Sequence, residues 1–262
     1  MTDPQVGERR VALGGVYNVR DLGGYATSDG RVVLRGRLFR ASSLHRLTDE
    51  EAWREFGAAS VIDLRYQQEI DAFPLPDFIG DATHAPVLPD HWHASEEDRG
   101  RPPAEFLAWI YESMLDLSAH TMGDIIEQLA ERESLPAIFF CMAGKDRTGF
   151  VAAVLLSLLG VSDEDIADDF ALSGDEVVAL VDWLRSREDF EVHPMMNQPE
   201  ALLRAPRAAM ELFLAHVTAE FGGLRAWVGT LDVPETAIES LRARLLAPTT
   251  ALTTDPTSQE AS

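Results

Sequence analysis

Hydrophobic and polar positions along this chain fall into two alternating patterns. Short apolar runs bounded by turn formers lie at 59–64 (ASVIDL) and 136–140 (PAIFF), the pattern of buried strands. The segment 31–40 (RVVLRGRLFR) follows a stretch rich in turn formers, among them Asn18, Asp21, Gly23, Gly24, Asp29 and Gly30. It reads as a strand or a hairpin arm. A further strand is expected across 81–88, between prolines.

Between and after these runs the period lengthens to that of a helix. Thr48 caps a helix over 49–56, with Glu51 in the capping-box position and Gly57 as its stop. Helical patterns follow at 104–117, 120–133 and 148–159, the last closed by Gly160. Ser162 and Asp165 open another helix, and 177–190, 200–221 and 234–246 complete the set. Gly222 and Gly223 supply a stop for the long helix, and Pro234 stands near the first turn of the final one. Strands alternating with helices, then a mainly helical second half, predict an α/β layer architecture.

Composition narrows this picture. The 262 residues are 46% hydrophobic and 25% charged, ordinary for a globular protein. The last segment, 247–262, is Thr-, Ser- and Pro-containing without an aromatic residue, and is expected to be a disordered tail on one domain spanning 1–246. No run approaches the ~20 apolar residues of a membrane span. The first ten residues are polar, without the apolar core of a secretory signal. A cytoplasmic location is therefore expected, with export lacking a classical signal left open. A net charge of −22 excludes general nucleic-acid binding, which rests on neutralising phosphates with Lys and Arg. It also argues against stable membrane association, since anionic headgroups repel such a surface and no polybasic segment is present. Oligomeric state is not legible.

The single cysteine, Cys141, opens the segment Cys141, Met142, Ala143, Gly144, Lys145, Asp146, Arg147, Thr148, Gly149. It lies between a buried strand and a helix start. Such a loop turns backbone N–H groups inward as an anion nest, and the helix adds the positive end of its dipole. Gly144 and Gly149 relieve crowding where the chain turns or approaches a bound group. Arg147 brings a planar fork suited to two phosphate oxygens. The same surroundings favour a thiolate at Cys141, the form that attacks phosphorus. Thr148 is placed to donate its hydroxyl to that sulfur when it leaves. The amides of Met142, Ala143, Gly144, Lys145 and Gly149 are the expected phosphate donors.

This segment resembles the Cys-x5-Arg-Ser/Thr loop of cysteine-dependent tyrosine and dual-specificity phosphatases, and more closely the bacterial atypical members. Three further stretches carry the likeness: Asn18-Val-Arg-Asp-Leu-Gly-Gly24, Gly36-Arg-Leu-Phe-Arg-Ala-Ser42, and Val61-Ile-Asp-Leu-Arg65 with Glu69. The resemblance implies a central, mostly parallel sheet flanked by helices, with a helical lid at about 174–200. It implies Cys141 as nucleophile, Arg147 as phosphate binder, and Lys145 and Asp146 as active-site residues. Asp146 is the leading general acid. Asp63, at a strand end beside the loop, is the second candidate or else a partner of Lys145 or Arg147. Substrates so implied are phosphorylated proteins, phosphotyrosine first, with phosphoinositides possible. The net charge favours instead a small soluble phosphate ester such as a nucleotide or sugar phosphate. No metal or cofactor is expected, because Arg147, Lys145 and the helix N-terminus supply positive charge. One departure stands out: Phe140 occupies the place of the usual His before the cysteine, which leaves a catalytically inactive phosphate-binding relative as the alternative.

Other candidates have plainer readings. His91 and His93 with Asp90 are expected in a solvated loop rather than at a metal, and the acidic run 163–169 on a solvated helix face. Arg65 and Glu69, spaced i, i+4, suggest a salt bridge. Asn18, Arg20 and Asp21 are expected to brace the N-terminal turn, and Arg20 and Arg40 are candidates to test for support of the site. Trp183, Phe190, Met195 and Met196 are expected to be core rather than a lining of the lid.

Overall fold

The computed structural model of the protein describes residues 9–88, 100–186 and 203–248. A five-stranded sheet forms its centre. Its strands are β1 (Arg20–Asp21), β3 (Leu38–Ala41), β4 (Ser60–Asp63), β5 (Thr83–His84) and β6 (Ala137–Phe140), ordered β1-β3-β6-β4-β5. Only the β1–β3 pair is antiparallel. The architecture is thus α/β with a mostly parallel sheet. Register sets Ala41 and Asp63 on either side of Phe140, so three parallel strands end abreast. The next residue after Phe140 is Cys141, at the carboxyl edge where open α/β sheets bind ligands.

All four residues of β6 are buried and serve two faces by simple alternation. Ala137 and Phe139 join the larger core, while Ile138 and Phe140 join a smaller one with Phe39, Val61 and Trp53. Trp53 belongs to α1 (Glu50–Phe56), on the second face. α2 (Gln67–Ala72) follows β4, and α3 (Pro103–Leu117) and α4 (Ala119–Ala130) precede β6. α5 (Asp146–Leu159) follows β6 and is buried along nearly its whole length, which is why its sequence shows no amphipathic stripe. α6 (Asp163–Ala171), α7 (Ser173–Arg185), α8 (Arg207–Phe221), α9 (Leu224–Val228) and α10 (Glu235–Leu245) are the remaining α-helices among the described residues.

Several expectations are corrected. The segment 31–40 divides: β2 (Arg31–Val33) leaves the main sheet and pairs antiparallel with β7 (Leu246–Pro248). The tail therefore begins as a strand, and 249–262 lie outside the described residues. Of 81–88 only Thr83–His84 is strand. Asp49, not Thr48, caps α1, its carboxylate accepting from the Ala52 N–H at 2.9 Å. α5 begins at Asp146, two residues earlier than its apolar pattern suggests. α8 begins only after Pro206, because proline fits the first turn of a helix and breaks an interior. Ser162 does cap α6, accepting from the Asp165 N–H at 3.1 Å.

Candidate active site

The loop from Cys141 into α5 is held from outside by its carbonyl groups. Ser43 N–H donates to the Met142 carbonyl at 3.2 Å. Asn18 Nδ2 donates to the Ala143 carbonyl at 3.3 Å and to the Gly144 carbonyl at 2.8 Å. Arg40 Nη2 donates to the Gly144 carbonyl at 2.8 Å and reaches the Lys145 carbonyl at 3.5 Å. In a trans peptide, N–H and C=O point to opposite sides. Anchoring three successive carbonyls outward turns the amides of Ala143, Gly144 and Lys145 the other way, as an anion nest requires. Gly144 makes the turn possible. Its φ is +68°, and a Cβ there would sit 2.4 Å from the Ala41 carbonyl oxygen.

The anchors are themselves fixed by one buried carboxylate. Asp169 of α6 accepts from Arg20 Nε at 3.0 Å, Arg40 Nη1 at 2.6 Å and the Tyr25 hydroxyl at 3.1 Å. Arg9 Nη1 lies 3.8 Å away, and Arg20 Nη1 donates to Asn18 Oδ1. Asn18 takes the left-handed conformation, φ +56°, which Asn tolerates better than most residues. Burial alone would raise the Asp169 pKa, but Arg20 and Arg40 hold it well below the usual carboxylate range. Burial, with Arg20 alongside, lowers Arg40 to about 10 against the pull of Asp169. The acidic run is thus only partly a solvated face: Asp169 is 1% exposed. Arg40 and Asn18 touch the loop directly, and Arg20 reaches it through Asn18.

Arg147, in the first turn of α5, lies under a clamp. Glu69 Oε2 and Oε1 accept from its Nη1 and Nη2 at 2.5 and 2.9 Å, and the Tyr66 ring lies 4.3 Å from the guanidinium carbon. Burial would lower the Arg147 pKa, but Glu69, and after it the Cys141 charge, raises it. Burial would raise Glu69, and the Arg147 charge and hydrogen bonds reverse that, leaving it below its ordinary value. The expected Arg65–Glu69 bridge does not form. Arg65 instead grips Asp63, with Nε to Oδ1 at 2.9 Å and Nη2 to Oδ2 at 2.7 Å. Both oxygens of Asp63 are therefore occupied, and it partners neither Lys145 nor Arg147. The physical reason is reach: β4 ends at Asp63, and the Arg65 side chain folds back across that end.

Asp146 opens α5 with its side chain 35% exposed. Its Oδ1 accepts from the Tyr111 hydroxyl at 2.8 Å and lies 3.4 Å from Lys145 Nζ. Lys145 is 2% exposed, and its ammonium also donates to the Arg204 carbonyl at 2.9 Å. Thr148 is fully buried, and its Oγ1 has no hydrogen-bond partner among the described residues. Cys141 is 2% exposed. Phe140, in place of the expected His, is fully buried, with the Arg65 guanidinium carbon 5.5 Å from its ring. Gly149 lets α5 approach α6 closely, since a Cβ there would meet the Phe170 ring at 3.0 Å.

α7 packs Val177, Leu180, Val181 and Leu184 against Met142 of the loop. Trp183 is only partly buried, its ring 6.2 Å from Tyr17 and 5.7 Å from the Arg46 guanidinium carbon. Phe190, Met195, Met196, Asp90, His91 and His93 lie outside the described residues, as do 187–200 of the expected lid. Among the described residues no group of three or more His, Cys, Asp or Glu could hold a metal, and no helix is long and apolar enough to cross a membrane. Sequence reasoning missed Tyr111 and the hub role of Asp169. The latter had a signal: Asp169 stands three residues after Ile166, on the face of α6 that Ile166 and Phe170 bury.

Known proteins share this arrangement of sequence. A putative tyrosine-protein phosphatase of Cupriavidus necator is 28% identical over 251 residues, covering 92% of this chain and 90% of its own. The triple specificity protein phosphatase PtpB of Mycobacterium tuberculosis is 29% identical over 217 residues, 70% of this chain and 77% of its own. A tyrosine-protein phosphatase of Nostoc commune is 27% identical over 139 residues, 52% of this chain and 47% of its own. Residues 11–247 match the tyrosine phosphatase family. The chain belongs to that family, and it is a phosphoric monoester hydrolase.

Proposed function

We propose that the protein hydrolyses phosphate monoesters through a phosphocysteine intermediate, with phosphotyrosine on proteins as its first substrate. Cys141 attacks phosphorus in line and the ester oxygen departs with the proton of Asp146. The amides of Ala143, Gly144 and Lys145, with the Arg147 fork, hold the equatorial oxygens as charge spreads over them. Water then cleaves the thiophosphate bond, with Asp146 accepting its proton, and Thr148 Oγ1 donates to the departing sulfur. Phosphoserine, phosphothreonine and phosphoinositides are secondary substrates, in keeping with the triple specificity named for the mycobacterial relative.

The observation that carries the reading is the outward anchoring of the Met142, Ala143 and Gly144 carbonyls immediately after the sole cysteine. The buried, unpartnered hydroxyl of Thr148 supports it. A second reading, a small soluble phosphate ester as substrate, is favoured by the net charge of −22 and by the burial of Lys145.

Cys141→Ser is expected to abolish phosphate release from 4-nitrophenyl phosphate, and rapid acid quench of the parent is expected to trap phosphate on Cys141. A serine variant as fast as the parent would remove the nucleophile assignment. An intact parent that binds vanadate without ever labelling would mark an inactive phosphate binder. Turnover compared across phosphotyrosine peptides, phosphoinositides and nucleoside monophosphates separates the substrate classes.

A further inference from the structure

We infer that Tyr111 is a positioning residue for the general acid, holding Asp146 so that a single carboxylate oxygen, Oδ2, is presented to the leaving group. The inference rests on the reading of Asp146 as that acid. Tyr111 lies on α3, fully buried, 35 residues before Asp146 in the chain. Its ring is locked edge-on between Phe170 and Phe213, centroids 5.7 and 5.9 Å away. Its hydroxyl meets Asp146 Oδ1 at 2.8 Å.

The direction of that hydrogen bond follows from the chemistry. An ionised carboxylate can only accept, so the phenol donates. Burial first, and the Asp146 charge after it, push the Tyr111 pKa well above its ordinary value, and the phenol stays a donor at any working pH. Oδ1 faces both the phenol and, at 3.4 Å, the Lys145 ammonium. A proton on Oδ1 would displace the bond the phenol donates and would face the ammonium, whereas Oδ2 has no hydrogen-bond partner among the described residues. The proton that the reaction needs therefore resides on Oδ2. An aromatic cage around the phenol fixes where that oxygen points, which matters because proton transfer requires hydrogen-bond reach and alignment.

Tyr111→Phe keeps the ring and its packing while deleting the donor. The test compares parent, Tyr111→Phe and Asp146→Asn on 4-nitrophenyl phosphate and on phenyl phosphate. The phenol leaving group has a pKa near that of tyrosine, about 10, and needs the acid; 4-nitrophenolate leaves with far less help. Asp146→Asn is expected to lose about 100-fold or more in kcat on phenyl phosphate and far less on the nitrophenyl ester. Tyr111→Phe is expected to lose about 10-fold on phenyl phosphate, within about 2-fold on the other, with KM unchanged for both. Equal losses on both esters, or none, in Tyr111→Phe overturn the inference while leaving Asp146 as the acid. An Asp146→Asn variant without leaving-group dependence removes the acid assignment, and the role of Tyr111 falls with it.

Discussion

At the scale of single residues, the loop depends on positions that admit one side chain or none. Gly144 is the sharpest case, because its positive φ and the 2.4 Å approach of the Ala41 oxygen exclude a methyl group twice over. Gly144→Ala is expected to cost about 1–3 kcal/mol in urea denaturation from backbone strain alone. It should also erase the rise in Tm expected when vanadate binds the parent. A variant with parental Tm and parental vanadate response would mean that the carbonyl anchoring is incidental. Cys141, Arg147 and Gly144 stand out in the sequence because a thiol, a guanidinium fork and a glycine turn have fixed chemistry and fixed spacing. Tyr111 does not. Its relevance arises from the α3–α5 packing that carries its hydroxyl to Asp146, and nothing within its own helix distinguishes it from an ordinary buried aromatic. Glu69 was legible only as a salt-bridge former. Which cation it faces is decided by the course of the chain after β4, not by the i, i+4 rule.

At the scale of elements, period and capping located most helices and the central strands, and failed where pairing was non-local. The segment 31–40 carries one apolar pattern yet serves two sheets, since β2 turns away to meet β7 more than 200 residues later. A tail that is polar by composition contributes a strand because its partner offers an edge to be covered. Truncation after Leu245 is therefore expected to expose β2 and buried Val33, lowering Tm by several degrees. Scanning calorimetry of that truncation beside the full chain checks it; an unchanged Tm would show that the β2–β7 pair carries no stability. Gly149 illustrates the opposite lesson. The sequence marks it as part of the loop, whereas its missing side chain is what admits the Phe170 ring of α6 against α5.

Across the whole molecule, charge is arranged against its own average. A protein with net charge −22 buries Arg9, Arg20 and Arg40 around the single carboxylate of Asp169. Removing that carboxylate leaves guanidinium groups buried without a counter-charge, which costs about 3–5 kcal/mol. Asp169→Asn is expected to show that loss in chemical denaturation together with weakened vanadate binding. Its pH behaviour has a definite sign. The folded pKa of Asp169 is depressed below the model-peptide value of 3.8, so its stabilisation is full above that value and drains as the pH falls through the folded one. Glu69 acts in the same direction. The parent should therefore lose stability steeply below about pH 4, and Asp169→Asn less steeply, in melts followed across pH. Parallel slopes would show that other groups dominate acid unfolding.

The brace around the loop has one more consequence. Its members enter from the N-terminal turn, from β1 and β3, and from α6, with the bonded pair Arg20 and Asp169 alone standing 149 positions apart in sequence. A nascent chain that has just completed the Cys141-to-Arg147 stretch still lacks Asp169, so it holds the thiol before it holds the cradle. Anion affinity should therefore appear all at once, late in refolding, and report on closure of the entire domain rather than on the loop alone.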